Sequence, residues 1–198
     1  MLRRSLIAIV AVALTACAAS TIDPQRKASI GSVYVEPVQL SKASVFGPNL
    51  SEANANSGTV PTTVAEATSR LQQVVDARTN LGELIDSQAK QDLLAKGYHV
   101  ADAPSGASAK LKINVYHALS VPVGVNDGRG IAMTVSAEMV RSADGKRLMF
   151  AGESQIKDSE TKGVRMAPYA EWFTNDDFVV EQYRLVARLL TAQALAGL

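Results

Sequence analysis

One cysteine and two histidines hold the most distinctive chemistry in this 198-residue chain. Cys17 ends an apolar run and directly follows the small residues Thr15 and Ala16. A thiol in that setting can be alkylated, and small residues beside it let a peptidase cleft close on the bond between Ala16 and Cys17. With no second cysteine the chain forms no internal disulfide and no zinc–thiolate site. His99 and His117 lack metal-site spacing, since neither HExxH nor HxH occurs. His117 falls on the apolar parity of a strand. It reads either as a neutral imidazole donating to a backbone carbonyl, or as the catalytic group of a hydrolase or ligand-binding enzyme aided by nearby carboxylates. His99 follows a helix end and reads as an edge residue. Glu153, Asp158 and Glu160 read as solvated charge at a sheet edge. The nucleophile motif G-x-S-x-G is absent. Gly124–Gly130 is glycine-rich but has no lysine and joins strand to strand, so it reads as a turn and not as a phosphate loop. Tyr169, Trp172 and Phe173 fall within five residues beside Pro168. They either cover the end of a sheet core or form a candidate partner-binding or lipid-binding lip, because aromatics give large contact area at low entropy cost.

The start of the chain gives Cys17 its context. Arg3 and Arg4 precede the apolar run Leu6–Leu14. About nine apolar residues are too few for a hydrocarbon core that takes roughly twenty. Leu14-Thr15-Ala16-Cys17 resembles the bacterial lipobox, in which a branched apolar residue and two small residues precede the cysteine. That resemblance implies that residues 1–16 are a cleaved signal peptide and that Cys17 becomes the new N-terminus. It also implies that Cys17 bears a thioether-linked diacylglycerol and an N-acyl chain, with no cofactor beyond these. Two or three acyl chains anchor stably because each buried methylene adds about 0.8 kcal/mol. Ala18 follows, where an aspartate commonly retains Gram-negative lipoproteins in the inner membrane. The resemblance therefore implies the inner leaflet of the outer membrane, facing the periplasm.

Removing the first 16 of 198 residues leaves 182, comfortable for one domain. The 20 basic residues less Arg3 and Arg4 leave 18 against 19 acidic ones. A near-neutral chain has no electrostatic case for binding nucleic acid.

Positioning elements follow from periodicity. Residues 17–29 read as a lipidated tether, and 30–198 as a single α+β domain with a long loop at about 39–63. A first strand spans 30–38. Helical stripes cover 64–78 and 80–96, separate or as one bent helix, and Gly97 sits where a C-cap is expected. Leu111, Ile113, Val115, His117 and Leu119 alternate with polar residues, as do Ile131, Met133, Val135, Ala137 and Met139. Asp144-Gly145 signals a hairpin leading into a strand at 147–157, with Leu148, Phe150 and Ile156 on its inner parity. A last helix spans 175–196, with Thr174 and Asp177 as a capping box. Strands with one polar face and helices with one apolar stripe give a two-layer sandwich. In it, helices cover one face of a mostly antiparallel sheet of about four strands.

This layout behind a lipobox resembles several periplasmic lipoprotein groups: auxiliary lipoproteins of envelope ABC transporters, the lipopolysaccharide-assembly lipoprotein, and subunits of curli-type secretion pores. The second group usually has Gly-Phe after the lipidated cysteine, where this chain has Ala18-Ala19-Ser20. Pore formers need amphipathic hairpins, which the polar 39–63 segment does not offer. The auxiliary type remains. The expectation is a non-catalytic accessory or binding module of an envelope transport or assembly system. It would be anchored to the membrane and would engage an envelope protein partner or a lipid cargo.

Overall fold

The computed structural model describes residues 22–42, 44–46, 60–120, 128–155 and 163–198, with side chains for all but 44–46, 117–120, 128–129 and 152–155. The described chain opens on a short helix, α1 (Pro24–Ala28), whose N-cap Asp23 accepts from the Arg26 N–H at 2.8 Å. Residues 22–29, expected to lie within an extended tether, instead hold α1 and a residue of the core. Ile22 is already buried, and its N–H bonds Gly197 O at 2.9 Å.

The sheet is built around two long strands, β5 (Ala109–Ser120) and β6 (Gly128–Arg141), paired antiparallel along twelve register positions. β7 (Arg147–Gln155) adds antiparallel to β6. On the other edge, β1 (Ser32–Val35), β2 (Gln39–Leu40) and β3 (Ser44–Phe46) pair parallel with successive stretches of β5. β1 and β2 follow the same side of β5 and are interrupted around Pro37, which has no N–H to give the ladder. β4 (His99–Val100) joins β1 in parallel, and β8 (Ala167–Pro168) caps the start of β6. The main order is β4-β1-β5-β6-β7. The expected α+β two-layer architecture is the observed one, with more strand segments than four. The absence of alternation places residues 39–63 in a loop, yet Gln39–Leu40 and Ser44–Phe46 pair, since β5 supplies the partner groups.

Three helices cover one face: α2 (Val64–Arg78), α3 (Leu81–Ala95) and α5 (Asp176–Ala194). Leu81, Ile85, Ala89 and Leu93 of α3 recur every fourth residue and are all buried. Val179, Tyr183, Val186 and Leu190 of α5 do the same at spacings of three and four. They meet Leu111, Ile113 and Val115 of β5 and Met133, Val135, Ala137 and Met139 of β6 in one continuous core. The opposite sheet face, with Lys112, Asn114, Tyr116, Thr134 and Ser136, is half-buried or exposed. Fully burying one large aliphatic side chain is worth about 1.5–3 kcal/mol, so this single face dominates stability.

Local signals were obeyed in some places and overridden in others. α2 and α3 are separate helices, because Asn80 takes a left-handed φ of 44° between them. α3 ends in a Schellman arrangement: Tyr98 N–H reaches Leu93 O at 3.0 Å and Gly97 N–H reaches Leu94 O at 2.9 Å, with Gly97 at φ 84°. Gly145, at φ 70°, closes the Asp144-Gly145 hairpin as expected. In β7 Leu148 is buried as expected, but Phe150 is not on the inner parity. The β6–β7 register shifts between Met139 and Val140 and again between Val135 and Ala137, and Met149 and Ala151 face the core. Phe150 instead lies opposite Glu138, with the Arg147 guanidinium 5.2 Å from its ring. A one-residue bulge moves every later side chain to the other face. The cap of α5 is Asn175, whose Oδ1 accepts from Phe178 N–H at 3.1 Å. Thr174 belongs to the preceding short helix α4 (Glu171–Thr174), and its hydroxyl donates to Ala170 O.

Two stability measurements test this description. An added Cβ at Gly97 meets no atom within 4 Å, so Gly97→Ala should cost only its backbone conformation, about 1–2 kcal/mol by urea denaturation. Gly31→Ala, whose Cβ would meet Ser108 Oγ at an ordinary 3.8 Å, should be near neutral. Burial also pushes the Tyr183 phenol well above its usual range. Below about pH 10 folded and unfolded chains both keep that proton, and the contribution is fully present. Above about pH 10 the unfolded chain ionises first, so stability should fall with rising pH, and more shallowly in Tyr183→Phe.

Candidate functional site

The aromatic trio is core, not lip. Tyr169, Trp172 and Phe173 are each no more than 3% exposed. Trp172 and Phe178 meet edge to face with ring centroids 4.9 Å apart, and Tyr169 packs on Phe173 at 4.8 Å. The Tyr169 hydroxyl donates to Pro61 O at 3.1 Å, tying this corner to the approach to α2. The α4 turn folds all three rings back under α5, and so their low-entropy contact area is spent inside the molecule. Proximity in sequence revealed the cluster but not its direction.

Cys17 and Ala16 lie outside the described residues, as do Asp158 and Glu160. The backbone of His117 pairs with Met133. The side chains of His117 and Glu153 are outside the described set. His99 is exposed at the start of β4.

Among the described residues, the buried non-aromatic polar side chains are Thr79, Gln182 and Thr191. Each holds backbone. Thr79 and Thr191 donate to carbonyls one turn back, Val75 O at 2.6 Å and Ala187 O at 2.8 Å. Gln182 accepts from Arg165 N–H at 2.8 Å and donates to Gly163 O at 3.3 Å, pinning the chain before β8 onto α5. Buried polar atoms so committed are structural.

The described residues bring charge together in one open groove of about 510 Å³ along the exposed side of α5. Asp177, Glu181, Arg184 and Arg188 step along this side at intervals of three and four residues. The acids stand near the helix start and the arginines further on, as the helix dipole favours for the acids. Arg78, the last residue of α2, reaches across to Asp176 at 3.6 Å and to Asp177. Arg184 donates to Arg78 O at 2.8 Å, satisfying a carbonyl at the end of α2. Among the described residues Arg188 has no ion-pair partner. The groove can take an extended polar segment with an acidic group toward Arg188 and a basic or donor group toward Glu181. Arg184 and Arg188 are visible in the sequence as residues off the apolar stripe. Arg78 is not, because 99 residues separate it from Asp177.

No family model matches the chain, and no curated protein matches it. It is similar to several solved structures. The PelC dodecamer from Paraburkholderia phytofirmans is 14% identical over 84% of this chain and 87% of that one, with a TM-score of 0.41. Protein XCC0632 from Xanthomonas campestris is 12% identical over 89% and 87%, with a TM-score of 0.46. Lipoprotein GNA1162 from Neisseria meningitidis is 16% identical over 67% and 87%, with a TM-score of 0.37.

Trp172 is the single tryptophan, so its fluorescence reports this corner alone. Its emission should be blue-shifted and resistant to acrylamide, and Trp172→Ala should cost about 3–5 kcal/mol in denaturant titration. Water-like emission with ready quenching would restore the lip.

Proposed function

We propose that the chain is a lipid-anchored accessory module of the bacterial cell envelope that works by binding rather than catalysis. The observation that carries this reading is Ile22. Five residues beyond Cys17 the chain is already seated in the core and bonded to Gly197. Acyl chains on Cys17 would thus tether a compact body directly, with no extended spacer. Among the described residues no helix is long and apolar enough to cross a membrane. Ala18 supports the inner leaflet of the outer membrane as the site of anchoring.

The binding part of the reading is supported by where polarity has been placed. Buried non-aromatic polar side chains hold backbone, while charge gathers in the groove between α2 and α5 in an open, solvent-reachable form. Such a surface suits an envelope protein partner of complementary charge, as an auxiliary transport or assembly subunit would require.

Metabolic labelling with palmitate should mark the parent and not Cys17→Ser. Crosslinking in cells should capture a stoichiometric envelope membrane protein, and Arg184→Glu with Arg188→Glu should weaken that capture at least tenfold while leaving labelling unchanged. An unlabelled parent, with Cys17→Ser exported and processed identically, would sink the anchor. Undiminished capture by the double variant would remove the groove as the binding surface.

A further inference from the structure

We propose that one end of the domain, formed by α1, the turn from α3 into β4 and the residues after α5, lies against anionic phospholipid headgroups, with Lys27 and Lys96 toward the bilayer. This inference rests on the lipid anchor proposed above and adds to it an orientation and a lipid charge preference.

Chain length sets the geometry. Five residue steps from Cys17 to Ile22 span at most about 18 Å even when fully extended. Whatever surrounds Ile22 is therefore held near the bilayer, and the contacts of Ile22 identify that end. Its N–H bonds Gly197 O, just past α5. Lys96, at the end of α3, donates from Nζ to Ala196 O at 3.3 Å. Lys27 of α1 stands with Nζ 5.0 Å from the centre of the Tyr98 ring. Three separate stretches of chain thus converge beside the attachment point.

Charge and apolar exposure on this end match a headgroup layer. Arg26, Lys27 and Lys96 are gathered here from α1 and the end of α3. Arg26 is paired with Asp23 at 3.1 Å, so Lys27 and Lys96 are the cations left to face lipid, while Asp92, which accepts from the neutral Gln88 amide at 2.9 Å, keeps its charge. Leu94, in the last turn of α3, is 58% exposed, an apolar side chain of the kind that settles below phosphates. Cations next to a bilayer attachment point are drawn to anionic lipid within a Debye length. The twelve residues of β5 rise about 36 Å, which sets β8 and the start of β6 well away from this end.

The test uses the full chain, lipidated in cells and reconstituted on vesicles of phosphatidylcholine with or without phosphatidylglycerol. Lipidation blocks the single native thiol, so Gln25→Cys or Met166→Cys provides the only site for a fluorophore. A nitroxide on the lipid headgroup should quench the Gln25→Cys label at least threefold more than the Met166→Cys label, and phosphatidylglycerol should increase the contrast. Lys27→Glu with Lys96→Glu should abolish the increase while the protein still pellets with vesicles. Equal quenching at the two positions, or a contrast indifferent to both phosphatidylglycerol and charge reversal, overturns the orientation and leaves the anchor standing. A parent chain that fails to pellet overturns the anchor, and the orientation with it.

Discussion

Everything in this domain depends on covering one face of the β5–β6 ladder. The two strands present Leu111, Ile113, Val115, Met133, Val135 and Met139 to the same side, and all are almost completely buried. Leaving that face in water would expose all six side chains, and a lone cysteine forms no disulfide within the chain to compensate. The stripe of α5 is the main cover, with α3 and α2 beside it. The opposite sheet face needs no cover because Lys112, Asn114, Thr134 and Ser136 are content in water.

Once α5 is laid on the sheet, its two ends acquire different roles. Beyond its C-terminus, Ala196 and Gly197 offer carbonyls that Lys96 and Ile22 use, and this pins the start of the described chain. At its N-terminus, Asp176 and Asp177 draw in Arg78, which closes α2 against it. The same helix that buries the core therefore joins the end beside Ile22 to the charged groove. A surface ion pair such as Arg78–Asp176 contributes little to stability by itself. Its consequence is geometric: it holds the groove wall in place, and Arg184 reinforces it through the Arg78 carbonyl.

The long elements were legible because their patterns repeat often enough to be unambiguous. β5, β6, α3 and α5 run for twelve to nineteen residues, and most described side chains on their apolar periods are buried, Leu94 at the end of α3 being the exposed exception. The misread segments are short or locally irregular. β2 and β8 have two residues each, too few to show a period, and they exist because a longer strand offers free backbone groups. The parity of β7 was lost at a bulge, which nothing in Leu148-Met149-Phe150 announces. The capping residue of α5 moved from Thr174 to Asn175 because a four-residue helix ends immediately before it.

Of the candidate site, the chain's own composition and spacing determined the lone thiol behind two small residues, the alternating strands, and the position of Arg184 and Arg188 off the apolar stripe. These are local properties, and a local pattern carries them. The inward turn of Tyr169, Trp172 and Phe173, the meeting of Arg78 with Asp176 and Asp177, and the seating of Ile22 beside Gly197 were decided only by the tertiary structure. Each depends on packing α5 over the sheet, and contacts between residues about 100 or more positions apart leave no periodic trace in the chain that makes them.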